Sequence, residues 1–258
     1  MLRLTKLQCG YHGRAIIEDI SFEVSAGDIV CVLGANGAGK TTLYRSLMNM
    51  LPPISGQVTI DGIDIRDIRR NQMAKKIAYV PQSQTITFPF TVLDVITMGR
   101  TAHLSLFQCP SDEEEDIALK AMSELGISAM AHRRFTEISG GERQLVLIAR
   151  ALAQNADILL MDEPTSNLDF GNQVQILDCI RKLAGKNRAV IYSTHSPDQA
   201  FACSTKVAVL LGERKFAVGP AGEILTEPVL KRIYGVDVHI RSVLAGNGAS
   251  TVCLPVRT

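Results

Sequence analysis

The chain has 258 residues, 27 Lys and Arg against 26 Asp and Glu, a formal net charge of +1 at pH 7, and 46% hydrophobic residues. That balance leaves no broad basic footprint for nucleic acid, and the length supports one large α/β domain or two small ones, each with a real core. The six cysteines include no CxxC pair, the N-terminus lacks a secretion signal, and no apolar run approaches the ~18 residues that span a bilayer, so a reducing cytosol is the expected setting.

In chain order, Leu2–Cys9, Ala15–Val24 and Ile29–Leu33 read as strands, separated by Gly10, Gly13 and the Ala26-Gly27-Asp28 turn. A helical segment, Thr41–Met50, follows the third. Gln57–Ile65 alternates around Asp61-Gly62, a hairpin signal, and Ile77–Val80 is a strand running into Pro81-Gln82. Residues 83–138 then turn helical in pattern. Ser111 and Glu114 form a capping box, and Ile117, Ala121, Met122 and Leu125 share one face of the helix it opens. The acid run Asp112–Asp116 fits a solvated first turn, favoured by the helix dipole, better than a metal site. Ser139–Gln154 is apolar nearly all round, as a buried helix should be. Strands at Ile158–Met161 and Ala189–Tyr192 flank an amphipathic helix carrying Ile176, Leu177, Ile180, Leu183 and Ala184. This β–α–β pattern implies parallel strands. The tail holds a strand at Val207–Leu211, a helix near Pro228–Tyr234, and a hairpin around Gly246-Asn247-Gly248.

Chemistry concentrates at four places. Gly34-Ala35-Asn36-Gly37-Ala38-Gly39-Lys40-Thr41 fits G-x-x-x-x-G-K-[ST] and stands between a strand and a helix, the context of a phosphate-cradling loop. Its glycines let backbone N–H groups turn inward beside a positive helix N-terminus. Lys40 supplies a point charge for β- and γ-phosphates, and the Thr41 hydroxyl suits Mg²⁺. Ile158–Met161 ends in Asp162 and Glu163, and ligands of open parallel sheets lie beyond the carboxyl ends of the strands. Asp162 suits Mg²⁺ and Glu163 a general base for an attacking water. His195 ends another apolar strand and is placed for a γ-phosphate or that water, whereas His12, His103, His132 and His239 show no such placement. Ser139 opens a buried helix whose N-terminal N–H groups need an anionic partner.

Along its whole length the chain resembles the nucleotide-binding subunit of an ATP-binding cassette (ABC) transporter. Tyr11 matches the aromatic that stacks on adenine, and Gly34 to Thr42, including Thr42 itself, matches the Walker A loop. Gln82 matches the Q-loop glutamine, and Ser139-Gly140-Gly141-Glu142-Arg143-Gln144 the signature that other P-loop enzymes lack. Asp162 and Glu163 match Walker B, Ser166-Asn167-Leu168-Asp169 the D-loop, and His195 the switch histidine. Ile138 stands where leucine is usual and Glu142 where glutamine is commonest. Asp94–Arg100, Glu163–Gln173 and Ile233–Val236 are similar to subunits of iron-siderophore, haem and vitamin B12 importers, and molybdate or tungstate importers share parts of that pattern.

The resemblance implies an α/β fold: a P-loop core with a mostly parallel sheet, an N-terminal antiparallel β subdomain and an inserted helical subdomain. It implies one ABC ATPase domain over 1–258, with 1–82 and 139–258 as core and 83–138 as the insertion. Glu163, His195 and Gln82 are then catalytic. ATP is held by Tyr11, Gly34, Ala35, Asn36, Gly37, Ala38, Gly39, Lys40, Thr41, Thr42, Ser139, Gly140, Gly141 and Asp169; Mg²⁺ is held by Thr41, Gln82 and Asp162. A head-to-tail homodimer would sandwich two ATP, each site borrowing Ser139, Gly140 and Gly141 from the other copy. Two membrane-spanning permease subunits would supply the pore, a substrate-binding protein would act indirectly, and the subunit would sit peripherally on the cytoplasmic face of the inner membrane. Phe88 and Phe90, around Pro89, read either as core or as one wall of a groove for a permease helix. An ABC ATPase of DNA repair would need a long coiled coil, but residues 83–138 carry no sustained heptads. The signature counts against a metabolic P-loop kinase.

Overall fold

Strand β1 (Leu2–Tyr11) turns through His12 and Gly13, both at positive φ, into antiparallel β2 (Arg14–Val24), with Tyr11 opposite Arg14. The structure, a computed structural model, describes residues 1–82, 88–105, 108–212, 214–245 and 248–256. Two compact units organise the chain, Met1–Ile68 with Ile180–Thr258, and Arg69–Cys179.

In the first unit, β3 (Ile29–Leu33) is buried at every residue and leads through residues 34–39 into α1 (Lys40–Leu47). The helix is shorter than its pattern suggests. Asn49 takes a left-handed φ of 54°, which Asn tolerates, and its amide donates to Ile65 O at 2.9 Å, so the chain leaves the helical path before Met50. β4 (Ser55–Ile60) and β5 (Ile63–Asp64) form the Asp61-Gly62 hairpin, and the antiparallel sheet runs β2-β1-β4-β5.

The second unit begins with α2 (Arg70–Lys76) and β6 (Ile77–Val80). α3 (Val92–Thr97) and α4 (Asp112–Glu124) then pack against α5 (Gly140–Ala153), which buries every residue from Gln144 to Ala149. The Ser111–Glu114 capping box opens α4, as its sequence implies. The expected insertion, 83–138, lies within this unit; 83–87 and 106–107 are outside the described residues. β7 (Ile158–Met161) pairs parallel with β6, Val80 opposite Met161, and α6 (Phe170–Ala184) leads back to the first unit.

There β8 (Ala189–Thr194), α7 (Pro197–Cys203), β9 (Lys206–Leu210) and β10 (Phe216–Gly219) follow. β3 lies between β8 and β9, parallel to both, and β10 closes that edge antiparallel. α8 (Ala221–Ile224) and α9 (Glu227–Tyr234) precede a ribbon of β11 (Val238–Ala245) and β12 (Gly248–Pro255), whose turn at 246–247 is outside the described residues. The class is α/β, with mostly parallel strands, an antiparallel β subdomain and a helical region, in accord with the sequence.

Candidate nucleotide-binding and hydrolysis site

In the first unit the register of β3 and β8 places Leu33 opposite Thr194, so the loop from Gly34 and the turn at His195 leave the same edge of the parallel strands. Gly39 has φ +108°, and a Cβ there would stand 2.9 Å from the Ile17 side chain. No larger residue fits without shifting that wall. Lys40 is nearly buried and its Nζ donates to Gly34 O at 2.8 Å and Ala35 O at 3.3 Å, folding the ammonium across the loop. Helix α1 has no side-chain cap and no acid in its first turn, so no side-chain charge offsets the positive end of its dipole there. Tyr11, half-buried at the end of β1, accepts a hydrogen bond at its hydroxyl from Arg45 Nη1 at 3.1 Å. Arg45 thereby ties the aromatic to α1. His195 is exposed, and its backbone carbonyl accepts from Tyr234 Oη at 2.7 Å.

In the second unit, Gln82 and the Asp162–Glu163 pair leave the same edge of β6 and β7, and Asp162 N–H donates to Val80 O at 2.9 Å. Gln82 Nε2 donates to Glu163 Oε2 at 3.3 Å, and Tyr79 Oη to Asp162 Oδ2 at 3.3 Å. Asp162 is buried, Glu163 half-buried. Glu163 adopts φ +44° immediately before Pro164, a strained left-handed conformation that costs roughly 1–3 kcal/mol and aims the carboxylate out of the strand.

The signature turn is partly satisfied from within. Ser139 Oγ accepts from Glu142 N–H at 3.3 Å, while Glu142 Oε2 accepts from Ser139 N–H at 2.7 Å, a complete capping box. Ser139's N–H, then its hydroxyl, hold the Glu142 carboxyl below its ordinary range, helped by Arg133 at 3.0 Å. This corrects the expectation that the whole helix start awaits an outside anion. The box fills the Glu142 donor and leaves those of Gly140 and Gly141 for one. A Cβ on Gly141 would fall 2.4 Å from the Asn172 amide, whose nitrogen donates to Asp169 Oδ2 at 2.7 Å. Ser139–Gly141 and Asp169 are therefore brought together, at a close approach only glycine permits. Phe88 is 67% exposed and Phe90 37%, with rings 6.0 Å apart. The core reading of these two rings fails.

Each unit by itself offers oxygen donors of the kind Mg²⁺ takes. Thr41, Gln82 and Asp162 offer hydroxyl, amide and carboxylate oxygens, the hard ligands this ion takes. With Nε2 turned to Glu163, Gln82 keeps its amide oxygen for a cation. Arg45, Tyr79, Asn172 and Tyr234 had no role assigned from the sequence; Asn172 and Tyr234 lie in stretches similar to importer subunits, but their partners are met only through folding.

The sequence profile described as ABC transporter matches residues 17–166, more than half of the chain. The chain belongs to the ABC transporter family. This ABC subunit is 43% identical over 234 residues to an uncharacterized ABC transporter ATP-binding protein of Haemophilus influenzae, covering 91% of the chain and 89% of the relative. It is 36% identical to a hemin import ATP-binding protein of Thermobifida fusca, covering 92% and 82%. It is 35% identical over its full length to a cobalamin import ATP-binding protein of Halobacterium salinarum, of which it spans 64%. Among solved structures, a metal-chelate type ABC transporter in an inward-facing conformation superposes with a TM-score of 0.90 at 32% identity, over 99% of this chain and 97% of that one. The family makes the ABC subunit an ATPase. Among the described residues, no helix is long and apolar enough to cross a membrane.

Proposed function

We propose that this ATPase energises import of a metal chelate of the iron-siderophore, haem or cobalamin kind. What carries the reading is the likeness, over 99% of the chain, to a metal-chelate type transporter, a span that includes the tail beyond the family profile. The hemin- and cobalamin-import relatives support it. A molybdate import ATP-binding protein of Haemophilus influenzae, 36% identical over 85% of this chain, makes the oxyanion the second reading.

In this proposal Tyr11 stacks on adenine, residues 34–39 and Thr42 wrap the phosphates through backbone and hydroxyl donors, and Lys40 leaves Gly34 O to neutralise β- and γ-phosphate charge. Thr41, Gln82 and Asp162 would hold Mg²⁺, whose charge would offset that of the phosphate oxygens. Glu163 accepts the proton of the attacking water, Gln82 orients that carboxylate, and His195 donates toward the γ-phosphate. Ser139, Gly140, Gly141 and Asp169 serve the nucleotide of a second copy, making a homodimer. The 83–138 insertion contacts two permease subunits at the cytoplasmic face of the inner membrane, and a substrate-binding protein delivers cargo to them. Phe88 and Phe90 form one wall of that contact.

The test is reconstitution of the chain with its permease in vesicles, measuring ATP-dependent accumulation of ferric siderophore, haem, cobalamin and molybdate. Accumulation of one chelate supports the proposal. Uptake of molybdate alone replaces it with the second reading, and ATP-independent uptake overturns both.

A further inference from the structure

The chain from α9 onward reaches back to the turn that carries His195 and grips it at both ends. Tyr234 Oη donates to His195 O at 2.7 Å, and Cys253 N–H donates to Asp198 Oδ1 at 2.7 Å. His195 O precedes Ser196, the N-cap of α7, and so belongs to no helical ladder. Tyr234 is its hydrogen-bonded support from the tail. Burial pushes the phenol of Tyr234 well up, which keeps it a donor at any working pH. The support is itself anchored. Gly235, at φ +73°, ends α9 directly after Tyr234, and Glu227 at the helix start accepts from Ile240 N–H at 3.0 Å, joining α9 to β11. Within the turn, Ser196 N–H donates to Thr194 Oγ1 at 3.1 Å, and Thr194 Oγ1 donates to Gln199 Oε1 at 2.8 Å. The peptide at His195 is thus bonded on the β8 side from within and on the tail side by one hydroxyl.

We propose that Tyr234 is a positioning residue for ATP hydrolysis: its hydroxyl fixes the His195 peptide, and the tail formed by α9, β11 and β12 sets the direction in which the imidazole is presented. The inference rests on the reading that His195 acts at the γ-phosphate. Tyr234 itself touches no nucleotide in this assignment. Removing its hydroxyl should slow the chemical step without weakening the hold on ATP, which residues 34–42 supply.

The experiment uses the whole chain and ATP, with Tyr234→Phe, His195→Ala and the double variant compared by steady-state and single-turnover hydrolysis. Phe keeps the ring and its packing, and thermal melting checks the fold. Tyr234→Phe should lower kcat about three- to tenfold, the range a single hydrogen bond supports, with KM for ATP within about twofold of the parent. On the His195→Ala background the same change should add no further loss, because a residue acting through His195 has nothing left to position. Asp198→Ala, which breaks the second grip, should reproduce the kcat effect. Full kcat in Tyr234→Phe beside an impaired His195→Ala overturns the proposal. So does an equal loss in both backgrounds, which marks Tyr234 as general packing. Unimpaired hydrolysis by His195→Ala overturns the role of His195 and this inference with it, a result distinct from the first.

Discussion

Glu163 combines a left-handed φ of +44° before a proline with a carboxylate that accepts from Gln82 at 3.3 Å. Strain of that kind persists only where surrounding contacts over-determine it. Glu163→Gln keeps the size of the side chain and removes the base. Hydrolysis should fall roughly 10²–10⁴-fold while ATP still binds, read by phosphate release and by nucleotide titration. Near-parent turnover would show that Glu163 is not the base. At this scale the motif residues were legible in the sequence, since Asp162 and His195 each follow an apolar run directly and Lys40 closes a glycine-rich loop between an apolar run and a helix. Their supports were not. Tyr79 reaches Asp162, Arg45 reaches Tyr11 and Tyr234 reaches His195 only because strands and helices distant in sequence are folded together.

Helix α5 is the element on which the signature depends, and both its ends are capped by side chains. At the C-terminal end, Arg100 Nη1 donates to Ala153 O at 2.8 Å, and His103 Nε2 meets Gln154 O at 2.8 Å, placing donors where the dipole is negative. His103 had no chemical task in the sequence pattern, and the fold assigns it a structural one. At the N-terminal end, Glu142 replaces the commoner glutamine without losing the cap. Glu142→Ala removes the acceptor for Ser139 N–H and the partner of Arg133, so it should lower stability by about 0.5–2 kcal/mol, whereas Glu142→Gln should cost less. The pH dependence has a definite sign. Because the folded carboxyl is held below its ordinary 4.5, its stabilisation is complete above that value and is lost as pH falls through the lowered one. Melting of parent and Glu142→Ala should differ at pH 7 and converge as the solution is acidified through the lowered carboxyl range. A gap that persists in acid would show that the carboxylate charge does not make the cap. Element boundaries were harder to read than elements, as α1 shows, because Asn49 leaves the helix for a tertiary bond to Ile65.

For the whole molecule, apolar runs made the strands β3, β8 and β9 legible, but not that β3 would lie between β8 and β9, a neighbour relation set by long crossovers. Function beyond one chain is a matter of surfaces. Phe88, 67% exposed beside Phe90, should report on the permease: Phe88→Glu should abolish chelate uptake in reconstituted vesicles yet leave hydrolysis by the isolated subunit intact. Unchanged uptake removes this face from the contact. The shared ATP site has a stricter test. Ser139→Arg withdraws the signature from the partner's phosphates but leaves its own Walker loop, and Lys40→Ala has the opposite defect. Since Ser139 also caps α5, melting must first show that the arginine variant is folded. Each variant alone should form inactive dimers. In a mixed dimer both lesions fall on one site, leaving the other with an intact Lys40 and an intact Ser139, so mixing should restore hydrolysis. A site built within one chain predicts no rescue at any ratio. Strict coupling of the two sites would also silence the mixture, so the control pairs a wild-type copy with the double variant: both lesions then lie on one chain, which spares a same-chain site in the other copy but breaks both shared sites. If that pair hydrolyses ATP while the mixture stays inactive, Ser139 does not act across the dimer.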